Sequence, residues 1–145
     1  MHLNPQEHQL TAIVLAGDRT KADSLINHSN AGSKAMIDID GLPMVRRVLN
    51  ALRLSRVVSK ITLSGPEASE VAKDEQLAQW VADGEVIWSE PGVSPSTSAY
   101  QAMNGLDPEE AVLLTTADHP LLTAESVYAF GRQSLADDVD VVVGL

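Results

Sequence analysis

Apolar and polar positions along this chain fall into blocks whose lengths alternate between those of strands and those of helices. Thr11 to Ala16 (TAIVLA) is a continuous apolar run without a charge, the length and composition of a strand buried on both faces of a parallel sheet. It stops at Gly17 and gives way to a long polar segment that closes at Lys34. Ala35 to Ile39 alternates apolar with polar and meets the turn signal Asp40-Gly41, which predicts a short strand or extended segment. Pro43 suits a first helical turn, and Met44, Val45, Val48, Leu49 and Leu52 then recur at three- and four-residue spacing. Arg46, Arg47 and Arg53 fall off that stripe, so the pattern predicts an amphipathic helix to about Arg56.

Val57 to Ser64 reads as a second strand, closed by Gly65-Pro66. A helix from about Asp74 to Ala82 carries Leu77, Trp80 and Val81 and ends at Asp83-Gly84, and Glu85 to Trp88 follows as a short strand. Ser94 is placed to cap a helix whose first position is Pro95 and which runs through Met103 to Gly105. Ala111 to Thr115 is another apolar strand. Thr123 caps a helix with Glu125 in its first turn, to about Ser134, and Val139 to Val143 begins one more strand.

Strands alternating with helices in this way predict an α/β domain, a mostly parallel sheet with helices on both faces. A strand end is an odd place for such a domain to finish, so residues 11–145 are expected to be the N-terminal portion of a domain incomplete at its C-terminus, and residues 1–10 a loose polar tail. At 145 residues and 44% apolar, the chain supports one modest core. The absence of cysteine removes disulfides, thiolate metal sites and cysteine nucleophiles from consideration. No apolar run approaches the roughly 18 residues of a membrane span, and MHLNPQEHQL lacks the regions of a signal peptide, so a cytoplasmic protein is expected, without membrane contact. A formal charge of −10 argues against general nucleic-acid binding, because a phosphate backbone would be repelled. It leaves room for a nucleotide bound through a divalent cation.

Three segments follow the carboxyl ends of predicted strands and so converge on the ligand-binding end of an open α/β sheet: Gly17 to Lys34, Gly92 to Ser98 and Thr116 to Pro120. Gly17 marks a sharp turn or a close approach, and Asp18, Arg19 and Lys21 place charges just beyond it. A polar loop of that length without its own apolar period is functional or disordered, and a lid that orders over a ligand is the functional reading. Asp118 stands just past a buried strand, where its carboxylate either ligates magnesium, a hard cation that leaves positions for phosphates, or caps the following turn. Lys34 either neutralises a phosphate or is a solvated lysine. His119 reads as a loop residue beside Pro120. Neither the P-loop spacing nor GxGxxG occurs.

Taken together, VLAG followed by Arg19, Lys34 before a strand, IDGLPM opening a helix, Ser98 in SAYQAM and TTADHPLLT resemble the nucleotidyltransferases related to the molybdenum-cofactor cytidylyl- and guanylyltransferases, the MobA-like NTP transferases. The resemblance runs in order from Thr11 to Leu145. It implies a GT-A-like three-layer α/β/α sandwich, of the nucleotide-diphospho-sugar transferase type. It also implies transfer of a nucleoside monophosphate from an NTP, CTP or GTP, to a phosphorylated small-molecule acceptor with release of pyrophosphate. By the same resemblance Leu15, Ala16 and Gly17 bring backbone close to the nucleotide, Arg19 and Lys34 bind its phosphates, Ser64, Gly65 and Ser98 lie near base and ribose, and Asp118 binds Mg2+. A homodimer is compatible with it.

The opening loop is longer and poorer in glycine than in most of the family, and a second metal-binding aspartate would lie beyond Leu145, with Asp140 a solvated turn residue. Two other functions stay open. A non-catalytic nucleotide-binding or interaction module would keep the fold without the chemistry. A glycosyltransferase would show a DxD pair, for which only Asp38–Asp40 and Asp138–Asp140 have the spacing.

Overall fold

A run of apolar residues with no charged position has no face to give to water, and in the computed structural model, which describes residues 9–18, 32–136 and 138–144, that run becomes an inner strand. Strand β1 (Leu10–Leu15) pairs in parallel with β4 (Val58–Ser64) on one side and β6 (Val112–Thr116) on the other, and β5 (Ile87–Ser89) extends the sheet beyond β4. The order is β5-β4-β1-β6. Two short strands, β2 (Asp38–Ile39) and β3 (Leu42–Pro43), form a separate antiparallel pair, whose turn is held by Asp38 Oδ1 accepting the Gly41 amide at 2.7 Å.

Successive residues of a strand point to opposite faces, which sorts the core into two layers. Ala12 and Val14 of β1 and Ile61 and Leu63 of β4 cluster with Val45, Val48, Leu49 and Leu52, the apolar stripe of helix α1 (Met44–Leu54). Helix α5 (Ala124–Ala136) packs against α1 on that face. Ile13, fully buried but outside that cluster, points to the other face, where helix α4 (Pro95–Met103) packs on β1 and β4. Two further helices, α2 (Ala68–Val71) and α3 (Glu75–Ala82), connect β4 to β5. Trp80 of α3 lies under two guanidinium groups of α1, Arg53 at 4.2 Å and Arg46 at 5.8 Å from the ring centre, so charges that fall off the apolar stripe cover an aromatic face.

The chain steps outward from β1 to β4 to β5, then returns through α4 to place β6 on the far side of β1. At such a reversal the loops leaving the carboxyl ends of β1 and β6 part company, which opens a crevice.

Three elements differ from the pattern of the sequence. Residues Lys34–Met36 form a 3-10 turn instead of extended chain, because the Met36 and Ile37 amides close back on the Ser33 and Lys34 carbonyls and Ala35 is buried. Helix α2, four residues long, is too short to show a period. Residues Val139–Val143 form no strand: Val141 is 78% and Val143 73% exposed. A β-branched run becomes a strand only when a neighbour accepts its backbone hydrogen bonds, and β6, paired with β1, has no such partnership with these residues among those described. No described helix is long and apolar enough to cross a membrane.

Candidate functional site

The sheet's hydrogen bonds continue one residue past the strands. Ala16 donates to the Ser64 carbonyl at 2.8 Å, Gly65 to Ser89 at 2.9 Å and Ala117 to Leu15 at 2.9 Å, which brings the ends of all four strands into line. Gly65 makes this possible: its φ is +74°, and a Cβ there would stand 2.9 Å from the Gly17 nitrogen and 3.0 Å from the Gly17 Cα. On the other side of Gly17, Pro91 comes within 3.0 Å of where a Cβ would be. The backbone after β1 is therefore held between two loops.

Beside it opens a pocket of about 330 Å³, lined by Leu15 and Gly17 on one wall and by residues 92–95 and Ser98 on the other. The second wall is built by serines. Ser94 caps α4, its Oγ accepting the Thr97 amide at 3.1 Å, as the sequence predicts, and the buried Ser98 Oγ accepts the Gly92 amide at 2.9 Å. Val93, between Gly92 and Ser94, is 99% exposed.

A pair of opposite charges spans the same end of the sheet. Lys34 Nζ donates to Asp118 Oδ2 at 3.1 Å, while the Lys34 backbone amide donates to Asp18 Oδ1 at 2.9 Å. Thr116 Oγ1, two residues before Asp118, donates to its other oxygen, and His119 Nε2 lies 3.9 Å from that oxygen. The Thr116 hydrogen bond first, and then Lys34, hold the Asp118 carboxyl below the usual carboxylate range against the opposing effect of partial burial.

A carboxyl whose pKa falls on folding contributes stability above its unfolded pKa and loses it as pH drops through the folded value. Wild type is thus expected to keep this contribution at neutral and mildly acidic pH and to lose it below about pH 4, where ordinary aspartates titrate. Thermal melts from neutral to acid pH check this. Asp118→Asn should give a flatter curve over the acid limb, and a slope identical to wild type would show that the contact contributes nothing to the fold.

The residues expected from sequence divide between these features. Leu15, Gly17 and Ser98 line the pocket, Gly65 packs on Gly17 at its edge, and Lys34 and Asp118 form the ion pair. Ala16 is buried in the core, and Ser64 is fully buried with a hydroxyl that has no partner among the described residues. Arg19, Lys21 and the expected lid between Gly17 and Lys34 lie for the most part outside the described residues. The strings with DxD spacing stand elsewhere: Asp38 is in β2 and Asp40 in the hairpin turn that follows it, and Asp138 and Asp140 are in exposed irregular chain. Sequence reasoning missed Thr116, which the spacing Thr-Ala-Asp at a strand end could have suggested, and the contact from Asp18, for which no local signal exists.

Among the described residues no group of three or more histidine or acidic side chains is placed to hold a metal ion. Asp118 nevertheless suits a hard cation as a single protein ligand. It is ionised, it is open to the crevice at 43% exposure, and each oxygen is engaged by one donor, which leaves lone pairs free.

Residues 12–144 match the MobA-like NTP transferase domain. The bifunctional protein GlmU of Rhizobium johnstonii is 30% identical over 135 residues, covering 92% of this chain and 28% of that protein. A hypothetical transferase from Thermus thermophilus superposes with a TM-score of 0.61 at 26% identity, over 91% of this chain and 48% of that one. The 4-diphosphocytidyl-2C-methyl-D-erythritol synthase of Anaerococcus prevotii superposes with a TM-score of 0.67 at 15% identity, over 90% of this chain and 52% of that one, and shows likeness of fold alone. The chain thus spans 28% of the curated relative and about half of these solved structures.

Proposed function

Because this chain belongs to the MobA-like NTP transferase family and has its nucleotide-diphospho-sugar-transferase-like fold, we propose that it serves a nucleotidyltransferase reaction. In this reading the site binds an NTP, CTP or GTP, and passes the nucleoside monophosphate to a phosphorylated small-molecule acceptor. One observation carries the reading: a lysine and an ionised aspartate paired at the β1/β6 crevice, next to a pocket walled by backbone and serines.

The chemistry asks little of side-chain nucleophiles. An acceptor phosphate oxygen attacks the α-phosphorus in line, the new oxygen–phosphorus bond forms as the bond to the bridging oxygen of the β-phosphate breaks, and pyrophosphate leaves with the bonding electrons. What the protein must supply is alignment and compensation of charge on the phosphates. Leu15 and Gly17 with residues 92–95 would enclose the nucleoside, where bare backbone allows a ring to approach. Lys34 would turn from Asp118 to the phosphates, with Arg19 as a second cation. Asp118 would hold Mg2+, which when bound supplies further neutralisation of the phosphate charge. A cytoplasmic setting, where NTPs are abundant, completes the proposal.

Two measurements on this chain test it. CTP or GTP at millimolar concentration with magnesium should raise its melting temperature by several degrees, as a ligand that binds only the folded state must. Pyrophosphate should then appear when phosphorylated sugars, alcohols or cofactor precursors are offered as acceptors. A folded sample whose melting temperature no NTP shifts would defeat the reading, and binding without pyrophosphate release across the acceptors would favour the non-catalytic module.

A further inference from the structure

The residue after Gly17 is an aspartate, and its work is done at a distance along the chain. Asp18 Oδ1 accepts the Lys34 backbone amide across a separation of 16 residues. That amide opens the 3-10 turn Lys34–Met36, and the residue in the capping position, Ser33, makes no side-chain cap; its hydroxyl is buried and unpartnered among the described residues. A first-turn amide needs an acceptor, so Asp18 takes a role that local serines and aspartates take elsewhere. The same contact joins the two ends of the polar segment and fixes the Lys34 backbone against the carboxyl end of β1. From that position the lysine side chain reaches Asp118. Gly32, two residues before Lys34, passes so close to the Glu70 carboxylate that an added Cβ would collide with it.

We propose that Asp18 is a positioning residue for the nucleotide site, acting through the Lys34 backbone and not by contact with phosphate or metal. The proposal rests on the reading of Lys34 as a phosphate-binding residue. It follows from the bond itself that what matters is an acceptor oxygen at this position and not a negative charge. An amide oxygen still accepts the Lys34 N–H, through a weaker bond than a carboxylate's but without the carboxylate's repulsion of a triphosphate, and the two differences offset.

Asp18→Asn and Asp18→Ala separate the two. Hydrogen exchange at the Lys34 amide, followed by NMR, reads the contact directly in the ligand-free chain. Dissociation constants for CTP and GTP, measured with magnesium present, read its effect on the site. In Asp18→Ala the Lys34 amide should exchange about tenfold faster and the better-bound nucleotide should bind about tenfold more weakly, the size expected for one lost hydrogen bond. Asp18→Asn should restore both values to near wild type. Asparagine behaving like alanine in either readout would mean that the charge matters, and would overturn the proposal. So would unchanged exchange and affinity in Asp18→Ala. If wild type binds neither nucleotide, the nucleotide reading fails and Asp18's part in it fails too; if wild type binds while the Asp18→Ala exchange rate is unaltered, Asp18 alone has been misassigned.

Discussion

Lys34→Ala is expected to lower kcat/KM for the nucleotide by about 10²- to 10³-fold while the melting temperature moves by no more than a few degrees. The asymmetry follows from where the charge is used. In the free protein the Lys34–Asp118 pair is open to solvent, with side-chain exposures of 34% and 43%, and pairs of that kind contribute roughly 0–1 kcal/mol to stability. Against a triphosphate held in a crevice, the same ammonium meets charge that cannot be dispersed into bulk water, and each donor removed there is costly. Lys34→Arg should recover only part of the loss, because a planar fork does not reproduce a compact ammonium reaching one oxygen. Initial rates of pyrophosphate release, with melts on the same samples, provide the check. A variant as active as wild type would show that the phosphates are held by other residues.

The second large effect is on stability. Gly65→Ala should lower the melting temperature by about 10 °C, corresponding to roughly 3 kcal/mol for a domain of this size. One part of the cost is conformational, since a residue with a Cβ at φ +74° is strained by roughly 1–2 kcal/mol. The other part is steric, since the new methyl would stand 2.9 Å from the Gly17 nitrogen and the obstacle is backbone that cannot rotate away. Gly84→Ala isolates the first part: its φ is +76°, and nothing lies within 4 Å of the added atom. Denaturant midpoints for the two variants measure the difference. Gly65→Ala should also weaken nucleotide binding, because the displaced Gly17 is a pocket wall. If it is no less stable than Gly84→Ala, the close approach at the strand ends is relaxed at no cost.

How much of this was visible in the residues depends on whether the controlling contact is local. The β1 strand and the α1 helix could be read because burial on two faces and burial on one stripe each leave a period in the sequence, as in TAIVLA and in Met44, Val45, Val48, Leu49 and Leu52. The Ser94 and Thr123 caps could be read because a capping side chain and its amide lie within one turn. The convergence of Lys34 with Asp118, 84 residues apart, was accessible only through topology, as two positions in segments that follow the carboxyl ends of neighbouring strands. The capping of Lys34 by Asp18 was not accessible, since nothing in either residue's neighbourhood specifies the other. Val139–Val143 misled for the converse reason: strand propensity was present, but a strand also needs a partner, and propensity does not encode one.

The serine-built wall of the pocket separates construction from display. Ser94 and Ser98 set the course of the loop by bonds to the backbone, so replacing either disturbs the scaffold as well as the cavity. Val93 lines the same cavity while almost all of its side chain faces solvent. It therefore carries no structural obligation, and a lineage could change it to a larger, polar or charged residue and alter what the cavity admits without having to repair the fold.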